Sequence, residues 1–177
     1  MFLFHIFLEI SHHFYIFKPK YKTVNWIIRN TSKLKFHTNL KVLLEPIQDE
    51  ISNLKWLISD LEMNTDQLKY LPINHDKDWF LISAEEMKVL RKTEIQIIWG
   101  VFVGILETQE IEPSQIDLPF ADGNGQIWEN GNLQVEHSKI EIIAWDSSYT
   151  IVKFTDPILS EKFKAFFQEA IELEKYK

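Results

Sequence analysis

The chain has 177 residues and no cysteine, with 45% apolar, 25% charged and 14% aromatic residues and a formal net charge of −7. Roughly 140 of these residues folding as one unit bury about 68–70% of their unfolded surface, so the fold needs no covalent staples, and the aromatic content speaks against disorder. Without Cys, disulfides, thiolate catalysis, Cys-ligated zinc and iron–sulfur clusters are excluded, and a reducing cytoplasm is the expected location.

The charge is divided along the chain. Up to Lys41 seven basic residues face Glu9 alone, whereas from Val42 onward 12 Lys and Arg face 25 Asp and Glu, a balance of −13. Such a body repels nucleic-acid phosphates, so no nucleic-acid partner is expected; a basic protein would be attracted and its encounter accelerated. Solubility alone also explains such acidity.

The first stretch, MFLFHIFLEISHHFYIF, has a different character. Its basic residues follow the apolar run instead of preceding it, and no Ala or Gly occurs before Ala84, so a secretory signal is not indicated. His5, Glu9, His12 and His13 leave no run of about 18 apolar residues for a spanning helix. A membrane enters only if residues 1–17 are an anchor, flanked by Lys18, Lys20 and Lys22. The segment lacks Ala, Gly, Asp and Gln before Gln48, like translated AT-rich DNA. The expected organisation is therefore a basic, apolar segment over residues 1–30, read as a start assigned too early, and a single acidic α+β domain over residues 31–177. If the segment is real, it is expected to add a strand or an amphipathic helix to the edge of the domain.

Leu40, Leu43, Leu44, Ile47 and Ile51 recur at helical spacing, and Pro46 predicts an end or kink at Leu44 to Glu45. KWLISDLE, residues 55–62, reads as a strand; a polar loop over residues 63–78 leads to a second strand over residues 79–82. Ser83 with Glu86 forms a capping box, which predicts a helix from Ala84 to about Arg91 with Met87 and Leu90 inward. EIQIIWGVFVGIL is apolar on both alternating sets, Ile95 to Ile105 on one and Ile98, Phe102 and Leu106 on the other, which predicts a central strand covered on both faces. Gly100 and Gly104 share a face, where a helix or an aromatic ring is expected to pack close.

Residues 107–124 read as a loop, and Asn130-Gly131 in IWENGNLQV signals a hairpin. KIEIIAWD and YTIVKFT follow as strands joined by a tight turn at Asp146, Ser147 and Ser148. Asp156 caps and Pro157 opens a last helix, with Leu159, Phe163, Phe166, Phe167, Ala170 and Ile171 on its face. The fold class is therefore α+β, a mostly antiparallel sheet of six or seven strands with two or three packed helices.

Candidate chemistry fails at named positions. DGNGQI, set in an EF-hand register, puts Phe120 at the first ligand position and Gly131 at the twelfth, and no Lys-Ser or Lys-Thr follows its glycines for a phosphate loop. His75, Asp76 and Asp78 in NHDKDW would hold a cation weakly, and the reading is a solvated loop with no metal. Asp146-Ser147-Ser148 lacks a nucleophile elbow and a nearby His base. No catalytic residue and no cofactor is expected. Asp60 and Glu62, two apart on a strand, share a face. A paired-acid role for them needs a second carboxylate held opposite, which only folding supplies. Trp128 with Glu129, and Asp146 with Tyr149 beside Trp145, place aromatics next to acids as protein interfaces do, and a place in the core suits these rings equally. Asp60, Glu62, Trp128, Glu129, Asp146 and Tyr149 are the candidate partner-binding residues.

LLEPI, KWLISDLE and DSSYTIVKF, in this order over residues 38–170, resemble a family of short bacterial α+β proteins of Bacillus type. The resemblance carries no catalytic residue. The long loop over residues 107–125 and the Asn130-Gly131 signal depart from it. By size, charge and lack of a catalytic motif the chain also looks like immunity proteins, which neutralise a toxin by binding it. The leading expectation is thus a non-catalytic protein-binding module with a basic partner such as a toxin. The alternatives are a structural or regulatory domain, and a small-molecule binder or enzyme using carboxylates brought together by folding.

Overall fold

A computed structural model describes residues 23–29, 31–34, 36–112 and 116–176. Seven strands form one antiparallel sheet: β1 (Trp26–Ile28), β2 (Leu54–Asn64), β3 (Trp79–Ile82), β4 (Gln96–Leu106), β5 (Ile140–Trp145), β6 (Tyr149–Phe154) and β7 (Ile171–Glu172), in the order β3-β2-β4-β5-β6-β1-β7. Three helices accompany it: α1 (Leu40–Leu43), α2 (Ala84–Lys92) and α3 (Pro157–Phe166). The expected α+β class stands.

Local chemistry accounts for most of these elements. The Asn39 side chain caps α1, which is a single turn; a 3-10 turn, Glu45–Ile47, follows with Pro46 in its first turn, where a missing N–H costs nothing. Both halves of the Ser83–Glu86 capping box are made, and Met87 and Leu90 are buried beneath α2. Asp156 accepts from the Ile158 N–H at 2.8 Å and Pro157 opens α3. α3 ends at Phe166, short of the expected face: Ile171 is 44% exposed and belongs to β7.

Helices and 3-10 turns cover one sheet face, burying Trp56, Ile58, Phe102, Ile142, Phe154 and Phe163. Each such side chain stabilises by about 1.5–3 kcal/mol relative to exposure. Residues within 107–112 and 116–139 and the C-terminal 3-10 turn Leu173–Lys175 cover the other face, over Leu57, Val101, Val103, Ile143 and Ile151. β4 is therefore buried on both faces, though not with one unbroken alternation. A register shift against β2 near Ile98 sends Ile95 and Ile97 to the helical face while Val101, Val103 and Ile105 face the loop. At Gly104 a Cβ would lie 2.6 Å from Ile140 Cγ2, 2.9 Å from Leu54 Cδ1 and 3.3 Å from the Trp56 ring, so both aliphatic and aromatic neighbours fill the space glycine leaves.

Two further sequence expectations are corrected. Asn130-Gly131 makes a turn but no hairpin: no strand lies between Leu106 and Ile140 among the described residues, and a 3-10 turn, Gly125–Trp128, precedes it. Asn130 instead uses its side chain, accepting from the Asn25 N–H at 3.0 Å and donating to Thr23 O and Glu174. The boundary at residue 30 also moves. Trp26, Ile27 and Ile28 are buried between β6 and β7, the Asn25 amide oxygen accepts from the Phe154 N–H at 2.8 Å, and the Trp26 indole donates to Ser160 at 2.8 Å. The packed domain thus includes residues 23–29. The apolar stretch over residues 1–17 lies outside the described residues. Among those described, no helix is long and apolar enough to cross a membrane.

Candidate functional site

A cleft of about 510 Å³ opens where β2 loses its regular pairing. Asp60 has φ +52°, and the pairing of β2 with β4 shifts between Ser59 and Glu62. A bulge of this kind redirects side chains at a strand end. Here it turns Asp60 and Glu62 toward the connection between β2 and β3, which brings His75, Lys77 and Asp78, and toward residues 118–122, which bring Asp122 and Phe120. Phe80 and Trp99 complete the walls. Four carboxylates thus face one lysine and one histidine across an aromatic-sided space.

Asp60 also holds the structure together, because its carboxylate accepts from the Ala121 N–H at 2.7 Å and the Asp122 N–H at 3.3 Å. Ser59 adds a buried bond to Pro119 O at 2.6 Å. These bonds replace a strand partner for a loop whose backbone would otherwise lack one. The loop is fastened further along by a buried pair. Lys153 donates to Asn132 O at 2.5 Å and Gln126 O at 3.4 Å, and Glu141 accepts from the Gln134 N–H at 2.7 Å. Burial, the largest influence on each, raises the Glu141 pKa and lowers that of Lys153.

Trp99 links the cleft to a row of half-buried rings. It meets Trp145 edge-on at 4.7 Å, Trp145 meets Trp128 at 5.2 Å, and Trp128 stacks on Tyr176 at 6.1 Å. Tyr149 closes the row, and Arg29 lies over its ring at 4.6 Å while donating to the hydroxyls of Tyr149 and Tyr176 at 2.6 and 2.8 Å. The hydrogen bond from Tyr176 is the main reason the Tyr149 pKa is lowered.

The six candidate partner-binding residues therefore divide. Asp60 and Glu62 line the cleft, and Trp128 and Tyr149 join the aromatic row, while Glu129 and Asp146 are exposed and outside the cleft. Asp146 and Ser147 form the tight turn before β6, both with left-handed φ, and the Ser147 N–H is tied to Ile98 O at 3.0 Å. Trp99, Phe120, Asp122, Tyr176 and Arg29 come from distant segments, and sequence reasoning did not select them; only the aromatic content hinted at such a row. Among the described residues no three His, Asp or Glu side chains come together to hold a metal ion. No family model, curated protein or solved structure matches this chain.

Proposed function

We propose that this chain is a protein-binding domain that takes a basic group of a partner protein into the cleft beside the β2 bulge. The observation that carries this reading is the composition of the cleft. Asp60, Glu62, Asp78 and Asp122 surround a space walled by Phe80, Trp99 and Phe120, the last of them 48% exposed. Carboxylates neutralise a guanidinium or ammonium, and aromatic faces add cation–π attraction of about 0.5–2 kcal/mol as water is excluded. The acidic body steers such a partner by long-range attraction. The most specific form of this reading is an immunity protein that neutralises a basic toxin.

Co-expression with a toxin-like product encoded beside this chain tests it, using the native chain and E62K/D122K, which reverses charge without touching the Asp60 carboxylate. The native chain should rescue growth and co-purify with the toxin, and the variant should lose both. Equal rescue and capture by the two would overturn the cleft's role, and no rescue by either would overturn the immunity reading.

A small-molecule cation binder or enzyme is the second reading, favoured by the cleft volume, which falls in the range of about 300–1,000 Å³ common for ligand sites. The commitment of Asp60 to two backbone N–H groups favours binding over acid–base chemistry.

A further inference from the structure

Among the described residues β3 is an edge strand: it pairs with β2 alone. Its register, Ser59 opposite Trp79 and Ile58 opposite Phe80, places Asp60 opposite Asp78, and the Asp60 N–H donates to Asp78 O. Hydrogen-bonded and non-hydrogen-bonded pairs alternate in an antiparallel ladder. Phe80 and Ile82 therefore direct their backbone groups to β2, and Trp79 and Leu81 direct theirs outward. Native proteins commonly cover or pair such an edge. Here it borders a second cleft, of about 380 Å³, lined by all four β3 residues together with Leu71, Ile73 and Glu86. Leu81 is 40% exposed, and Leu68, Tyr70 and Val89 on the adjoining segments are exposed as well.

The two clefts are contiguous, sharing Ile73, Asn74, Lys77 and Phe80. Between them they present Asp60, Glu62, Asp78, Asp122 and Glu86 against Lys77 as their one lysine. A second copy pairing edge to edge would bring these acids against their own kind, in a chain of net charge −7. A basic partner gains where a second copy loses. We propose that the outer edge of β3 receives an extended, basic segment of a partner polypeptide as an added strand, with a Lys or Arg side chain of that segment entering the acidic cleft. Backbone pairing supplies affinity in this mode and side-chain pockets supply specificity. The proposal rests on the protein-binding reading above and specifies how the partner is held.

Amide hydrogen exchange on the full chain, with and without an eight-residue peptide alternating Lys and Val, tests it. At a peptide concentration ten times its dissociation constant, exchange at the Trp79 and Leu81 amides should slow about tenfold. Amides in β5 and β6 should be unchanged, and the same peptide with Glu in place of Lys should have no effect. Unchanged Trp79 and Leu81 amides would overturn the proposal, as would equal protection by the Glu peptide. Protection that grows with protein concentration in the absence of peptide would replace the basic partner with a second copy. The two readings fail separately. Toxin capture that depends on Glu62 and Asp122 but leaves the β3 amides unprotected removes only the edge proposal. Amide protection by the Lys peptide without rescue or capture removes only the immunity role.

Discussion

Glu141 and Lys153 stand directly opposite each other on β5 and β6, both fully buried, with the nearest oxygen and nitrogen 3.9 Å apart. That separation is too long for a hydrogen bond, and one Glu141 oxygen has no hydrogen-bond partner. Each charge is spent on the backbone of residues 126–134 instead. K153M should cost about 3–5 kcal/mol, because it strands the opposite carboxyl and two loop carbonyls. E141L/K153M should cost less than the sum of its single changes, since only the unmet backbone groups remain, at about 1–3 kcal/mol each. Urea unfolding of the four members of this cycle provides the measurement; strict additivity would show the two groups to be energetically independent.

The same pair predicts a pH dependence. The Glu141 pKa is raised in the folded chain, so its stabilising contribution is complete below the unfolded value of about 4.3 and is lost as pH rises through the folded value. Lys153 has the opposite sign: its pKa is lowered by burial, so its contribution is present above about 10.4 and lost as pH falls through the folded value. The urea midpoint of the native chain should therefore fall as pH rises from about 4.3, and E141Q should flatten that slope. An identical slope in E141Q would assign the dependence to other groups.

Gly104→Ala places a methyl group 2.6 Å from Ile140 and 2.9 Å from Leu54, both buried side chains, which open β5 and β2. Overpacking of this kind costs about 1–3 kcal/mol. Gly125→Ala meets nothing within 4 Å and should change stability by less than about 0.5 kcal/mol. Thermal unfolding of the two variants provides the comparison, and equal shifts would contradict the tight packing at Gly104.

Asp60→Asn separates structure from binding. Asn tolerates left-handed φ and keeps an oxygen for the Ala121 and Asp122 N–H groups. Its stability should stay near that of the native chain while association with a basic partner slows at low salt. Asp60→Ala removes the acceptor and should cost about 1–3 kcal/mol. Stopped-flow association followed by tryptophan emission, paired with urea unfolding, reads both effects; native-like association by Asp60→Asn would remove Asp60 from the proposed binding surface.

A chain beginning at Thr31 lacks β1 and with it the strand between β6 and β7. It should aggregate or unfold, since the Asn25 and Trp26 side-chain bonds and three buried apolar residues go together. Ser160→Ala is a milder probe, leaving the buried Trp26 indole N–H without its acceptor at about 1–3 kcal/mol. Circular dichroism of the truncated chain checks the first expectation, and a native spectrum would return the domain boundary to residue 30.

What could be read from the sequence is what neighbouring residues decide among themselves. The Ser83–Glu86 box, the Asp156-Pro157 start of α3, the break at Pro46 and the turn at Asp146-Ser147 each satisfy their own backbone within a few residues, and each forms as expected. The doubly apolar run of β4 likewise announced burial on both faces. Asn130-Gly131 misled because a hairpin signal specifies only a turn; strands need partners, and here the sheet offers the loop charged side chains instead of a ladder. β1 was hidden by composition: three residues are too few for a periodic signal, and they gain their place from β6 and β7. The cleft was half legible. Asp60 and Glu62 stood out as neighbours on a strand, but Trp99, Phe120 and Asp122 reach them only because the β2 bulge, the Ser59 bond to Pro119 and the Asp60 bonds to the next two N–H groups draw three distant segments to one point. Local hydrogen bonding and periodicity are written in adjacent residues, whereas a binding surface is made by long-range packing and belongs to the tertiary structure alone.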